Sequence, residues 1–135
     1  MKAFINDYRL DDIRGPDHWM DDPKEFCVLV DLCIADKEMD GGEIFSLVVC
    51  SPKWFENNVL KPEPKHPTHE RIAKYAFGRH HLFLEEYDAE EIQTAVSEIV
   101  SRAKGKDWSE VALYLSRYFS WEFEDYSPTK IGEGT

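Results

Sequence analysis

Phe45-Ser46-Leu47-Val48-Val49-Cys50-Ser51-Pro52-Lys53-Trp54-Phe55 contains one abrupt change of hydrophobic period, from strand to helix. From Phe45 to Cys50 the residues are mostly apolar or β-branched, and a period of two puts Phe45, Leu47 and Val49 on one face. Ser51 and Pro52 then make a helix start. A serine hydroxyl can accept an orphan amide hydrogen, and a proline in the first turn gives up a donor that had no partner. Trp54 and Phe55 follow within one turn, so their rings are expected to fold back over the sheet and fix how the helix meets it.

Upstream, Glu25 to Ala35 is the strongest strand pattern, with Phe26, Val28, Val30, Leu32 and Ile34 on one face. The opposite face carries Cys27, Leu29 and Cys33 with Asp31 alone as a charge, which predicts a central strand covered on both sides. Asp36-Lys37-Glu38-Met39-Asp40-Gly41-Gly42 begins like a calcium loop, but its twelfth place holds Leu47 instead of a bidentate glutamate. It reads as a hairpin turn between antiparallel strands. Residues 2–10 suit a first strand, with Phe4, Tyr8 and Leu10 on one side and Ala3 and Ile5 on the other. From Asp11 to Lys24, five aspartates with Gly15, Pro16 and Pro23 break any period and make an acidic loop. Trp19 and Met20 interrupt it, either as core anchors or as an aromatic offered to a partner.

Downstream, Asn57, Asn58, Pro62, Pro64 and Pro67 keep the helix short and lead into a surface loop. Residues 68–77 form a short candidate helix, with Thr68 as cap and Ile72 and Tyr75 inward. His80 to Tyr87 alternates again and reads as a strand. Asp88 caps a helix with the stripe Ile92, Ala95, Val96, Ile99, Val100 and Ala103. Gly105 ends it, and Asp107 starts a second whose stripe runs through Trp108, Val111, Ala112, Leu115, Tyr118 and Phe119. Strands come first and long helices last. The expected fold is therefore α+β: an antiparallel sheet of about four strands, helices packed on one face, and two long C-terminal helices. Residues 1–126 read as one domain and 127–135 as a flexible tail.

The chain has 135 residues, 42% of them hydrophobic, which suffices for a packed core without staples. With 27 acidic residues against 16 basic ones the formal charge is −11, which disfavours nucleic acid and anionic lipid and favours basic proteins. No apolar run reaches the roughly 20 residues of a membrane span. Cys27, Cys33 and Cys50 read as buried thiols in a reducing compartment, and the expected location is the cytoplasm. Cys50-Ser51 occupies a strand-to-helix corner, where nucleophiles are activated, but no glycines flank it. A zinc site from His66, His69, His80, His81 and Glu85 lacks a recognised spacing, and His80 and His81 should point to opposite faces of a strand. There is no phosphate-binding glycine loop and no dinucleotide fingerprint. No cofactor, metal or catalytic residue is expected.

The order of these pieces, from "VCSPKW" at Val49–Trp54 through "LEEYD" at Leu84–Asp88 and Asp107-Trp108 to Trp121-Glu122-Phe123-Glu124-Asp125-Tyr126, resembles the immunity protein 8 family of bacterial polymorphic toxin systems. The resemblance spans roughly residues 2–126. It implies a non-enzymatic protein that protects a bacterium by binding a cognate toxin domain, and a charge this negative complements a basic toxin such as a nuclease. The rival classes are an acidic adaptor domain without a toxin and a small cysteine- or histidine-dependent enzyme. Charge distribution nominates the partner-binding residues. Asp17, Trp19, Asp21 and Asp22 form one acidic, ring-bearing group; Glu38 and Asp40 lie in the hairpin; Trp121, Glu122, Glu124, Asp125 and Tyr126 form the last. An aromatic ringed by acids is the composition of a hot spot for a basic partner.

Overall fold

The alternating run of Cys27–Ala35 (β2) becomes the middle of the sheet, with Phe26, Val28, Val30, Leu32 and Ile34 all fully buried on one face. The structure is a computed structural model, and it describes residues 1–61 and 75–123. Phe4–Asp12 (β1) and Glu43–Cys50 (β3) flank β2, both antiparallel to it, so the hairpin at 36–42 forms as its sequence requires. Gly41 sits at φ +93° in that turn, a conformation that side chains with a Cβ rarely adopt.

The far edge of β3 is shared. His81–Phe83 (β4) pairs with Val48–Cys50, and Ser120–Trp121 (β5) pairs with Phe45 and Ser46. Among the described residues the sheet thus has five strands, one more than the hydrophobic pattern suggests, and β4 runs parallel to β3. The strand expected over His80–Tyr87 shrinks to three residues, because β3 offers its edge to β4 only at the end that β5 leaves open.

Ala89–Arg102 (α2) and Trp108–Leu115 (α3) cover the buried face of the sheet with Ile92, Val96, Val100, Val111, Ala112 and Leu115. Their caps are the expected ones: the Asp88 carboxylate accepts from the Glu90 and Glu91 amides, and Asp107 accepts from Glu110. Only α2 is long. α3 has 8 residues, and the chain leaves it through turns that still bury Phe119 before entering β5. The apolar stripe beyond Leu115 therefore comes from tertiary packing after the helix has ended, and Tyr118 from that stripe is exposed.

Ser51 caps Pro52–Phe55 (α1), as read from the sequence, by accepting from the Trp54 amide at 3.1 Å, and its hydroxyl oxygen also receives the Phe26 amide at 3.3 Å. A π-type turn over Glu56–Leu60 continues the helix. The rings do fold back, but Phe55 is the buried one and Trp54 is half-buried. They cover the second face of the sheet, against Cys27 and Cys50, so helices lie on both faces and not on one. Among the described residues the cover extends over one end of that face only. Leu29, Asp31 and Cys33 remain half-exposed, which corrects the expectation that both faces of β2 are closed.

β1 also departs from its expected phase. The register slips between Ile5 and Asp7, and this bulge brings Ile5 onto the same half-buried side as Tyr8 and Leu10 while leaving Phe4 exposed. Cys27 and Cys50 stand directly opposite each other as free thiols. Cys33, expected buried, is half-exposed. The candidate helix at 68–77 falls outside the described residues up to 74; residues 75–77 are not helical, and Tyr75 is exposed against Phe77. The proline-containing loop from Pro62 and the tail at 127–135 also lie outside the described residues.

Candidate functional site

A buried carboxylate organises the acidic loop that follows β1. Asp12 accepts from the Arg14 amide on one oxygen and from the Met20 amide on the other, both at 2.9 Å, with the Arg14 guanidinium 3.5 Å away. Met20 is held at φ 53°, a left-handed conformation that costs a non-glycine residue energy, and its side chain packs on the core. Trp19, one residue earlier, is thereby directed outward and is 45% exposed. Burial of Asp12 works against its charged form, but the two amides and Arg14 outweigh it and hold the carboxyl below its ordinary value.

A depressed folded pKa contributes stability that is present above the unfolded value of about 3.9 and is lost as the pH falls through the folded one. We expect Asp12→Asn to cost about 1–3 kcal/mol at neutral pH and to flatten the decline of stability in acid. Urea midpoints across the acid range check this. An unchanged slope against pH would remove Asp12 from this role.

Trp19 does not stand alone. Its ring meets Tyr87 edge-on at 5.9 Å, and Tyr87 meets the fully buried Phe26 at 5.5 Å, so the exposed ring is mounted on the core through one intermediate. The Tyr87 amide donates to the Pro23 carbonyl at 2.8 Å. This contact joins two acidic segments that are far apart in sequence: Asp17, Asp21 and Asp22 from the first, and Glu85, Glu86, Asp88, Glu90 and Glu91 from the second. All eight are exposed. Lys24 and His18, which lies 3.2 Å from Asp21, are the basic residues among residues 16–25 and 85–91. In the sequence the acids of the second segment read as a strand end and a helix cap, not as neighbours of Trp19. Their charge was visible in the sequence, but the Pro23–Tyr87 contact was not.

Of the other nominated residues, Glu38 and Asp40 lie past the opposite end of β2, roughly 25 Å along it at about 3.3 Å per residue, and Trp121 pairs with Phe45, which stands opposite Leu32 of β2. Glu38 and Asp40 are exposed at the hairpin, but the groove beside Glu38 is also lined by Lys2, Lys37 and Lys106, which offset its acids locally. Trp121 is half-buried and serves the fold: its ring stacks on Phe45 at 6.2 Å and its indole N–H donates to Glu43 at 2.8 Å. Glu122 is exposed, and its carboxylate receives the Ile44 amide. Glu124, Asp125 and Tyr126 lie outside the described residues.

The alternative chemistries gain nothing from the geometry. The Cys50 thiol is completely buried, and its pKa is lowered by a hydrogen bond with Cys27, whose own is raised by that bond and by burial. No face of it is open to a substrate. His81 stacks on Phe83 and meets Phe55 edge-on, while the His80 ring contacts the Ser116 carbonyl at 3.0 Å. Among the described residues no three histidines, cysteines or carboxylates come together to hold a metal ion, and no helix is long and apolar enough to cross a membrane. His66 and His69 lie outside the described residues.

Fold and surface together define the class: a small α+β domain with one strongly acidic end built around an exposed tryptophan. Within that class the chain belongs to the immunity protein 8 family, whose model matches residues 3–126. No curated protein and no solved structure matches the chain.

Proposed function

We propose that this chain is an immunity protein that binds a cognate bacterial toxin domain in the cytoplasm and neutralises it by occupying its surface, without catalysis and without a cofactor. The observation that carries this reading is the family match over residues 3–126, which also supports 1–126 as the working domain. The charge of −11 favours a basic toxin domain such as a nuclease, because opposite fields speed encounter and suppress wrong partners. The contact begins at the acidic end. Trp19 is the anchor, pre-positioned by Tyr87 so that little side-chain freedom is lost on binding, and Asp17, Asp21, Asp22 and the carboxylates of 85–91 surround it. Glu38, Asp40 and Glu122 act from the far end, and Trp121 supports the strand that carries Glu122.

The test uses the cognate toxin domain, sought in the gene immediately upstream, in a catalytically inactive form. Trp19→Ala is expected to weaken association by about thirtyfold, the equivalent of roughly 2 kcal/mol. Reversing Asp21 and Asp22 to lysine is expected to slow association and flatten its dependence on salt. If both variants bind like the parent at every salt concentration, the acidic end is not the contact.

A further inference from the structure

Among the described residues, the second face of the sheet is covered at one end only. Phe55, Trp54 and Leu60 close over Cys27 and Cys50 with Val48 packed beside them, and beyond them Leu29 and Cys33 are half-exposed and Ile44 is 43% exposed. β1, β2 and β3 run side by side through this open region, with Asp7 opposite Cys33, Arg9 opposite Asp31 and Asp11 opposite Leu29. A shallow cleft of about 230 Å³ opens there, lined by Asp7, Arg9, Asp31, Leu32, Cys33 and Ile44. On its floor Asp31 accepts from the Ser46 hydroxyl at 2.7 Å. The strands hold these positions rigidly.

We infer that this open half-face is the apolar centre of a docking surface, and that its occupant is a basic segment of the cognate toxin domain; the inference rests on the function proposed above. Half-exposed aliphatic groups interleaved with carboxylates suit a partner side chain that has both an aliphatic stem and a positive head. The sign of the charge selects the occupant. Asp7, Asp11 and Asp31 on the face and Glu122, which accepts from the Ile44 amide, oppose Arg9, the one cation among the residues lining the cleft, which is itself 3.6 Å from Asp11. A second copy of this chain would bring like charges together on both sides, whereas a partner's lysine or arginine can lay its aliphatic stem on Ile44 and Cys33 and reach the carboxylates.

Cys33 supplies a reporter without mutation, since it is half-exposed on this face while Cys27 and Cys50 are buried. The full chain is treated with N-ethylmaleimide alone and in complex with the inactive cognate toxin domain, complex formation being followed separately by size-exclusion elution. Mass spectrometry then gives the rate of modification at Cys33. The expected result is at least a tenfold slower modification in the complex, together with at least tenfold weaker binding by the folded variant Ile44→Lys. Equal modification rates in a complex that elutes intact would overturn the inference and leave the proposed function standing. Absence of any complex would overturn the proposed function as well. Protection that rises with concentration of this chain alone would assign the face to a second copy and likewise overturn the inference.

Discussion

Phe45→Ala is expected to lower the free energy of unfolding by about 3–5 kcal/mol, a large fraction of the roughly 5–15 kcal/mol available to a domain of this size. Phe45 is fully buried at the middle of the inner face. Its ring meets Phe119 edge-on at 6.5 Å and lies parallel to Trp121 at 6.2 Å, so one side chain ties β3 to the exit of α3 and to β5. Alanine leaves a cavity that rigid strands cannot close. Ile44, the adjacent residue on the open face, is the control, and Ile44→Ala is expected to cost less than about 1 kcal/mol. Denaturant unfolding followed by circular dichroism measures both. Equal costs would mean that the two faces of β3 are not as different as the structure has them.

Glu43 gives the second large effect. One of its carboxylate oxygens accepts both the Trp108 indole N–H at 2.7 Å and the Trp121 indole N–H at 2.8 Å, joining the first turn of α3 and β5 to the start of β3. Removing the acceptor orphans two part-buried donors at once, and Glu43→Ala is expected to cost about 2–4 kcal/mol. Glu43→Gln keeps an oxygen at that place and loses only the assistance of charge, so it should cost less than half as much. Equilibrium unfolding by tryptophan fluorescence reads the difference. If glutamine is as damaging as alanine, the shared oxygen is not what joins these elements.

What the sequence disclosed follows the range of the interactions involved. The inner face of β2, the Ser51, Asp88 and Asp107 caps and the stripe of α2 are local patterns, and each appears where its residues place it. β4 and β5 are set by which stretch of β3's edge remains free, a property of no single segment, and hence the parallel pairing and the fifth strand were not legible. The bulge after Ile5 changes the phase of β1 without any proline or glycine to announce it. Trp121 drew attention because acids follow it, yet its neighbours in space are Phe45 and Glu43. Trp19 stands out within its own loop, while five of the eight exposed carboxylates of the two joined segments arrive with Tyr87 from residues 85–91. The order of motifs was enough to indicate the family, because it depends on the chain and not on how distant segments meet.

Neutralisation by binding has a stoichiometry, and a titration tests it most directly. The active cognate toxin domain, sought first in the neighbouring gene, is held at a concentration well above the dissociation constant, and its activity is measured as this chain is added. Occupation of the toxin surface predicts a linear loss of activity that ends at about one equivalent and is restored when the complex is dissociated in denaturant and the toxin refolded alone. Loss of activity at a small fraction of an equivalent, persisting after the chain is removed, would show an enzyme acting on the toxin, and full activity in the presence of excess chain would contradict binding altogether.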